Sequence, residues 1–210
     1  MFLSRIQMNP QCYNSRKAIG SPQILHASVE NCFSSGESKE RKLWRLDTLN
    51  DRLFLLLLSH TRPDFSHFSE QFCQGAVGET KDYDALLERI QIGQKWNFRL
   101  RGNTTHNAKE AENTRGKVYA HVTIEQKREW LIKKALHCGF TLEEGLFDVV
   151  ETEMLNFRRN SAKSPVTIGV SVFEGVLEIT DEIHFRQALV QGIGRAKAYG
   201  CGLLTITKQI

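Results

Sequence analysis

Lys42-Leu43-Trp44-Arg45-Leu46-Asp47 and Arg52-Leu53-Phe54-Leu55-Leu56-Leu57-Leu58-Ser59 read as two strands joined by a short turn around Leu49-Asn50-Asp51. The apolar run Leu53 to Leu58 is too short to cross a bilayer and fits a buried strand. Upstream, Phe2 to Met8 alternates, with Leu3 and Arg5 on one face and Phe2, Ser4 and Ile6 on the other. Ser21-Pro22 is a helix start, serine as N-cap and proline in the first helical position. Leu25, Val29 and Cys32, joined by Ser28, form the apolar stripe of that helix. Downstream, Pro63-Asp64 punctuates the chain and a short helix spans 65–72. Residues 74–84, polar with two glycines, read as a loop. The order β-α-β-β-α lacks only a closing strand and indicates a ferredoxin-like unit.

A second set of elements follows. Lys95 to Arg101 alternates strongly, with Trp96, Phe98 and Leu100 on one face and Lys95, Asn97, Arg99 and Arg101 on the other. Residues 102–116 are almost wholly polar and read as an exposed loop. Thr123 caps a helix with Gln126 in the capping-box position; that helix carries Trp130, Leu131, Ala135 and Leu136 and ends at Gly139. Strands are expected at 147–157, 166–173 and 175–179. Asp181 then caps a helix carrying Phe185, Ala188 and Leu189, and a final strand, Leu203 to Ile206, closes the set. Two α/β units of similar size result, with the boundary within 85–94.

The chain has 210 residues, 40% of them hydrophobic, enough for packed cores. No apolar run reaches 18 residues, so no transmembrane helix is expected. Arg5 and Asn9-Pro10 interrupt the start before any signal-peptide core. The five cysteines, Cys12, Cys32, Cys73, Cys138 and Cys201, are scattered with no zinc spacing. They read as thiols in a reducing cytoplasm, and no metal or cofactor is implied. Charge is uneven: residues 1–90 hold 11 basic and 11 acidic side chains, whereas 91–210 hold 17 and 13. A basic C-terminal half suits a polyanion.

Three groups of residues can carry chemistry. In Gly192-Ile193-Gly194-Arg195-Ala196-Lys197-Ala198-Tyr199-Gly200-Cys201-Gly202, four glycines and two cations fall in one stretch. Glycine permits positive φ and close backbone approach, and free N–H groups with Arg195 and Lys197 can cradle a phosphate. The stretch reads equally as a tight helix-to-strand turn without a ligand. It is not a Rossmann fingerprint, because no βαβ unit follows. The second group is His26, just past the first turn of its helix, offset by about 100° from Leu25 on the buried stripe. It is a surface histidine or a partly exposed proton-transfer group beside a positive helix end. The third is Arg158-Arg159 with Lys163, in a polar turn between strands: a solvated turn, or a basic hairpin tip that tracks phosphates of A-form RNA. Arg99 and Arg101 either face a nucleic acid or pair with acids across the sheet. Lys127-Arg128 and Lys133-Lys134 read as a solvated helix face.

The glycine-rich end, Gly-x-Gly-x-Ala-Lys-x-x-Gly-x-Gly-Leu-Leu, resembles the signature of the repeat-associated RNA-processing proteins of CRISPR systems, and of the CasE family in particular. Met1-Phe2-Leu3-Ser4-Arg5, Phe98-Arg99-Leu100-Arg101-Gly102-Asn103 and Val172-Phe173-Glu174-Gly175-Val176-Leu177 resemble three further family stretches, in the family's order. The resemblance implies an α+β fold of two tandem ferredoxin-like (RRM-like) domains, residues 1–90 and 91–210. It implies a metal-independent endoribonuclease that cuts precursor CRISPR RNA at the 3′ base of the repeat hairpin and stays bound to it beside other Cascade subunits. His26 matches the family's catalytic histidine in Ser21-Pro22-Gln23-Ile24-Leu25-His26. Arg158, Arg159 and Lys163 match its RNA-holding hairpin, and Gly192, Gly194, Gly200 and Gly202 with Arg195 and Lys197 its glycine-rich loop. Where relatives carry tyrosine, three residues before the histidine, this chain has Gln23, which cannot transfer a proton.

Overall fold

The computed structural model describes residues 1–34, 40–108, 117–157 and 165–209. The chain divides into two compact units, Met1–Ile90 with Lys197–Leu203, and Gln91–Ala196 with Leu204–Ile210.

The first unit runs β1 (Phe2–Gln7), α1 (Tyr13–Ile19), α2 (Pro22–Glu30), β2 (Leu43–Leu49), β3 (Arg52–Ser59), α3 (Ser66–Phe72), β4 (Glu79–Asp82) and α4 (Asp84–Leu87). β2 and β3 are joined by Asn50 and Asp51, both at positive φ (49° and 59°). Asn and Asp are the non-glycine residues that best tolerate this conformation, which matches the twist of a two-residue hairpin. The closing strand is present. Glu79–Asp82 lies within the segment expected to be a loop and pairs antiparallel with β1. It has no apolar residue to mark it; the backbone ladder at the sheet edge holds it. The sheet order β2-β3-β1-β4 is that of a ferredoxin-like unit.

One face of this sheet packs against helices. Ile6, Trp44, Leu55 and Leu57 meet Leu25 and Val29 of α2 and Phe68 and Phe72 of α3. Deep burial of such side chains contributes roughly 1.5–3 kcal/mol each. On the other face Arg45, 1% exposed, donates through Nε and Nη2 to the two carboxylate oxygens of Asp47 at 2.8 and 2.6 Å. Its Nη1 donates to the Leu203 carbonyl at 2.8 Å, which fastens the Lys197–Leu203 segment to β2.

The second unit runs β5 (Lys95–Asn103), β6 (Thr105–Ala108), β7 (Lys117–Ala120), α5 (Ile124–His137), β8 (Phe140–Phe157), β9 (Val166–Ile179), α6 (Glu182–Gln191) and β10 (Leu204–Lys208). The sheet order β10-β5-β9-β8 repeats the ferredoxin-like pattern, so the fold is α+β with two such units. Trp96, Phe98 and Leu100 are buried. The Thr123–Gln126 capping box forms, and Asp181 accepts from the His184 backbone N–H at 2.9 Å.

Several expectations change. The start of the 102–116 segment is ordered strand rather than exposed loop: β5 continues to Asn103, Thr104 is buried, and β6 pairs with β7. Leu136 is 66% exposed, off the buried stripe of Trp130, Leu131 and Ala135. β8 begins at Phe140, and the strands expected at 166–173 and 175–179 are one strand, β9. Gly175 ends neither; it sits at φ 149° opposite an irregularity of β8 between Leu142 and Phe147. A Cβ there would lie 2.2 Å from the Leu146 carbonyl oxygen, so only glycine admits the bulging strand. Among the described residues, no helix is long and apolar enough to cross a membrane.

Candidate active site and phosphate pocket

α2 starts where Ser21 turns the chain from extended geometry into Pro22 at the first helical position; the Ser21 side chain makes no cap hydrogen bond. The Ser21 carbonyl accepts from the Ile24 and Leu25 N–H groups instead. Pro22, Leu25, Ser28 and Val29 face the core. His26 therefore falls at the edge of the buried face, its side chain 39% exposed. Its Nδ1 lies 3.9 Å from Glu30 Oε1, one turn on, and Lys42 Nζ holds Glu30 at 2.8 Å. The imidazole is thus accessible to a ligand and flanked by a carboxylate that is itself anchored. Gln23, one turn before His26, has its Oε1 buried with no hydrogen-bond partner. On the preceding helix Tyr13, Arg16 and Lys17 are exposed.

The glycine-rich stretch is divided. Its latter part, beginning with the 3₁₀ turn Lys197–Tyr199, packs against α2 and β2 inside the first unit. Lys197 is thereby carried beside the helix that bears His26. Gly192, Gly194, Gly200 and Gly202 all adopt positive φ, between 74° and 91°, as does Ala196 at 59°.

The earlier part belongs to the second unit. There Asn103, Thr105, Asn107, Trp130, Lys134, Gly194 and Arg195 line a pocket of about 190 Å³. Asn103 bridges to Arg195 through the backbone, and its buried Oδ1 has no hydrogen-bond partner. Gly194 lies so close to the Trp130 ring that a Cβ would stand 3.1 Å from it. Two cations, two amides and a hydroxyl around one small cavity are the donor set an anionic oxygen group requires. Asn103, Thr105 and Asn107 were not singled out as ligands from the sequence, and Lys134 was read as part of a solvated helix face. The signal was faint but present: the first three alternate along the chain, and Lys134 follows Trp130 by one helical turn.

Arg158, Arg159 and Lys163 lie outside the described residues. Arg99 and Arg101 pair with Glu174 and Glu153 across the sheet, which resolves the choice left open above in favour of acids. Arg128 donates to both carboxylate oxygens of Asp148, at 3.0 and 2.7 Å. These hydrogen bonds hold the Asp148 carboxyl below the usual carboxylate range. The cysteines form no disulfide; Cys32, Cys73 and Cys201 are buried.

Comparison with known proteins gives a consistent result. The model of a family described as CRISPR associated protein matches residues 1–208. The CRISPR-associated endoribonuclease Cse3 of Thermus thermophilus is 30% identical, over 98% of this chain and 99% of its own. A structure of Cse3 bound to a 19-nucleotide RNA superposes with a TM-score of 0.80 at 27% identity, covering 98% of both chains. Thermus thermophilus Cse3 bound to an RNA representing a pre-cleavage complex gives 0.79 at 28% identity, with the same coverage. The chain belongs to the CRISPR-associated protein family, in agreement with the CasE resemblance carried by its glycine-rich end.

Proposed function

We propose that this protein is a metal-independent endoribonuclease of the cytoplasm, which cleaves precursor CRISPR RNA at the 3′ base of the repeat hairpin and remains on the product as a Cascade subunit. The observation that carries the reading is a half-exposed imidazole, His26, on a helix flanked by the glycine-rich segment, in a chain alike over its whole length to a named endoribonuclease. The 2′-hydroxyl upstream of the cut attacks the adjacent phosphorus. Its proton leaves, the P–O5′ bond breaks, and the 5′-oxygen takes up a proton. His26 serves one of these two transfers, a contribution of about 10²–10⁴-fold. Lys197 or a loop N–H offsets the charge developing on the phosphoryl oxygens. The products are a 2′,3′-cyclic phosphate and a 5′-hydroxyl. Residues 1–90, together with Lys197–Leu203, act as the cutting domain and the rest of 91–210 as the hairpin-holding domain, with Arg195, Arg158, Arg159 and Lys163 on the phosphates.

The test is cleavage of the repeat RNA from the protein's own array with a chelator present. His26→Ala is expected to abolish cutting and leave hairpin affinity within about threefold of the unmodified protein. A single 2′-deoxy substitution at the cut site is expected to stop the reaction. Gln23 favours one second reading, a catalytically weak or inactive hairpin-binding subunit, because a carboxamide cannot transfer a proton. Unmodified protein that binds its repeat tightly but never cuts it would establish that reading instead.

A further inference from the structure

The first unit has a cavity of its own, on the sheet face opposite its helices. It measures about 590 Å³ and is lined by Arg5, Gln7, Asn50, Arg52, Phe54 and Glu79, among others. Ligand pockets typically fall at roughly 300–1,000 Å³. β1 and β3 are the two central strands of this sheet. Ile6, Leu55 and Leu57 point from them into the helix-covered core, so Arg5, Gln7 and Phe54 point the other way. Gln7 stands directly across from Phe54, and Arg5 directly across from Glu79 on β4. The Arg5 guanidinium lies over the Phe54 ring at 5.4 Å and donates to Glu79 Oε2 through Nε and Nη2 at 3.1 and 2.8 Å. Glu79 therefore fixes the guanidinium over the aromatic ring. Arg52 is exposed at one rim, and Val77 at another is 86% exposed.

A flat cation-on-ring surface, an amide pair and a free-standing arginine suit a ligand that is planar, hydrogen-bonding and anionic in its different parts. A nucleotide is such a ligand. RNA-binding sheets of this topology stack unpaired bases on aromatic side chains of their central strands, and Arg guanidinium planes serve the same purpose. We infer that this face is a stacking subsite for single-stranded RNA, one base lying on the Arg5–Phe54 pair, its amide edges meeting Gln7 or Asn50, and a phosphate meeting Arg52. The inference rests on the RNA reading above only in its choice of ligand. It concerns a strand outside the hairpin stem and a surface away from His26, which stands on the helix-covered side.

The test uses the full chain and two probes, octauridylate and the repeat hairpin trimmed to the single nucleotide beyond its cut site. Octauridylate is expected to bind at low salt, about tenfold more weakly to Phe54→Leu, and nearly normally to Phe54→Tyr, which keeps the ring. Arg52→Gln is expected to reduce the slope of log affinity against log salt by about 0.7, the share of one phosphate on a single strand. None of these variants should alter cutting of the trimmed hairpin. The subsite is overturned if octauridylate fails to bind, if Phe54→Leu binds it as well as the unmodified protein, or if uridine 5′-monophosphate binds as tightly as the oligomer. Failure of the unmodified protein to bind or cut the hairpin, with octauridylate binding still dependent on Phe54, would overturn the nuclease reading and leave this subsite standing.

Discussion

Arg45 and Asp47 show how much one buried pair can decide. Both are almost completely buried, and the guanidinium also carries the Leu203 carbonyl. Removing one partner leaves an uncompensated charge, so Arg45→Ala or Asp47→Ala should lower unfolding free energy in urea by about 3–5 kcal/mol. Replacing both together, Arg45→Met with Asp47→Leu, should cost far less; a double variant as unstable as the worse single one would refute this account. Cysteines provide a second residue-scale prediction. Burial pushes the Cys32 and Cys73 thiols up to about 12, above an unfolded value of 9.0. In the folded state they hold their protons where the unfolded chain would release them. Their stabilising contribution is therefore complete below pH 9 and is lost as pH rises from about 9 to about 12. The Cys12 thiol is instead lowered, chiefly by hydrogen bonds from the Ser15 and Asn14 backbone. Iodoacetamide at pH 8 should therefore label Cys12 well before Cys32 or Cys73, as read by peptide mass spectrometry; prior labelling of Cys32 or Cys73 would contradict the packing described.

At the scale of elements, the alternating strands and capped helices were legible because each carries its own local signal. Thr123 and Gln126 satisfy two otherwise orphaned helix-end donors, and the pattern T-x-x-Q announces it. β4 had no such signal, since Glu79-Thr80-Lys81-Asp82 is wholly polar and exists as a strand only because β1 presents it a ladder. Gly175 was legible as a glycine but not for its reason. It looked like a break between strands, whereas its lack of a Cβ lets one continuous β9 lie against the bulge of β8. Gly175→Ala should accordingly destabilise the protein by about 2–5 kcal/mol, from strain at positive φ together with overpacking against Leu146 and Phe147. Gly145, also at positive φ but with nothing within 4 Å, should tolerate the same change at lower cost. Equal losses in thermal unfolding would show that backbone strain alone, rather than close approach, governs Gly175.

For the whole molecule, the pocket of Asn103, Thr105, Asn107, Lys134 and Arg195 joins three sequence regions far apart in the chain. If it holds an RNA phosphate, Lys134→Gln and Arg195→Gln should each reduce the salt slope of hairpin binding by about one, uniformly across repeat sequences. Unchanged slopes would leave the pocket without a role in binding. Composition, strand periodicity, helix caps and the glycine–cation stretch determined from the sequence alone that the protein has two α/β units and a C-terminal turn of positive-φ residues. These are properties of neighbours along the chain, written in hydrophobic spacing and in the steric freedom of glycine. Tertiary structure alone decided that Lys197 lies against the helix of His26, that Arg99 and Arg101 are spent on Glu174 and Glu153, and that Arg5 rests on Phe54. Each depends on which strand lies beside which. That is set by burial of the two sheets and by ladder register, and neither is encoded within any single segment.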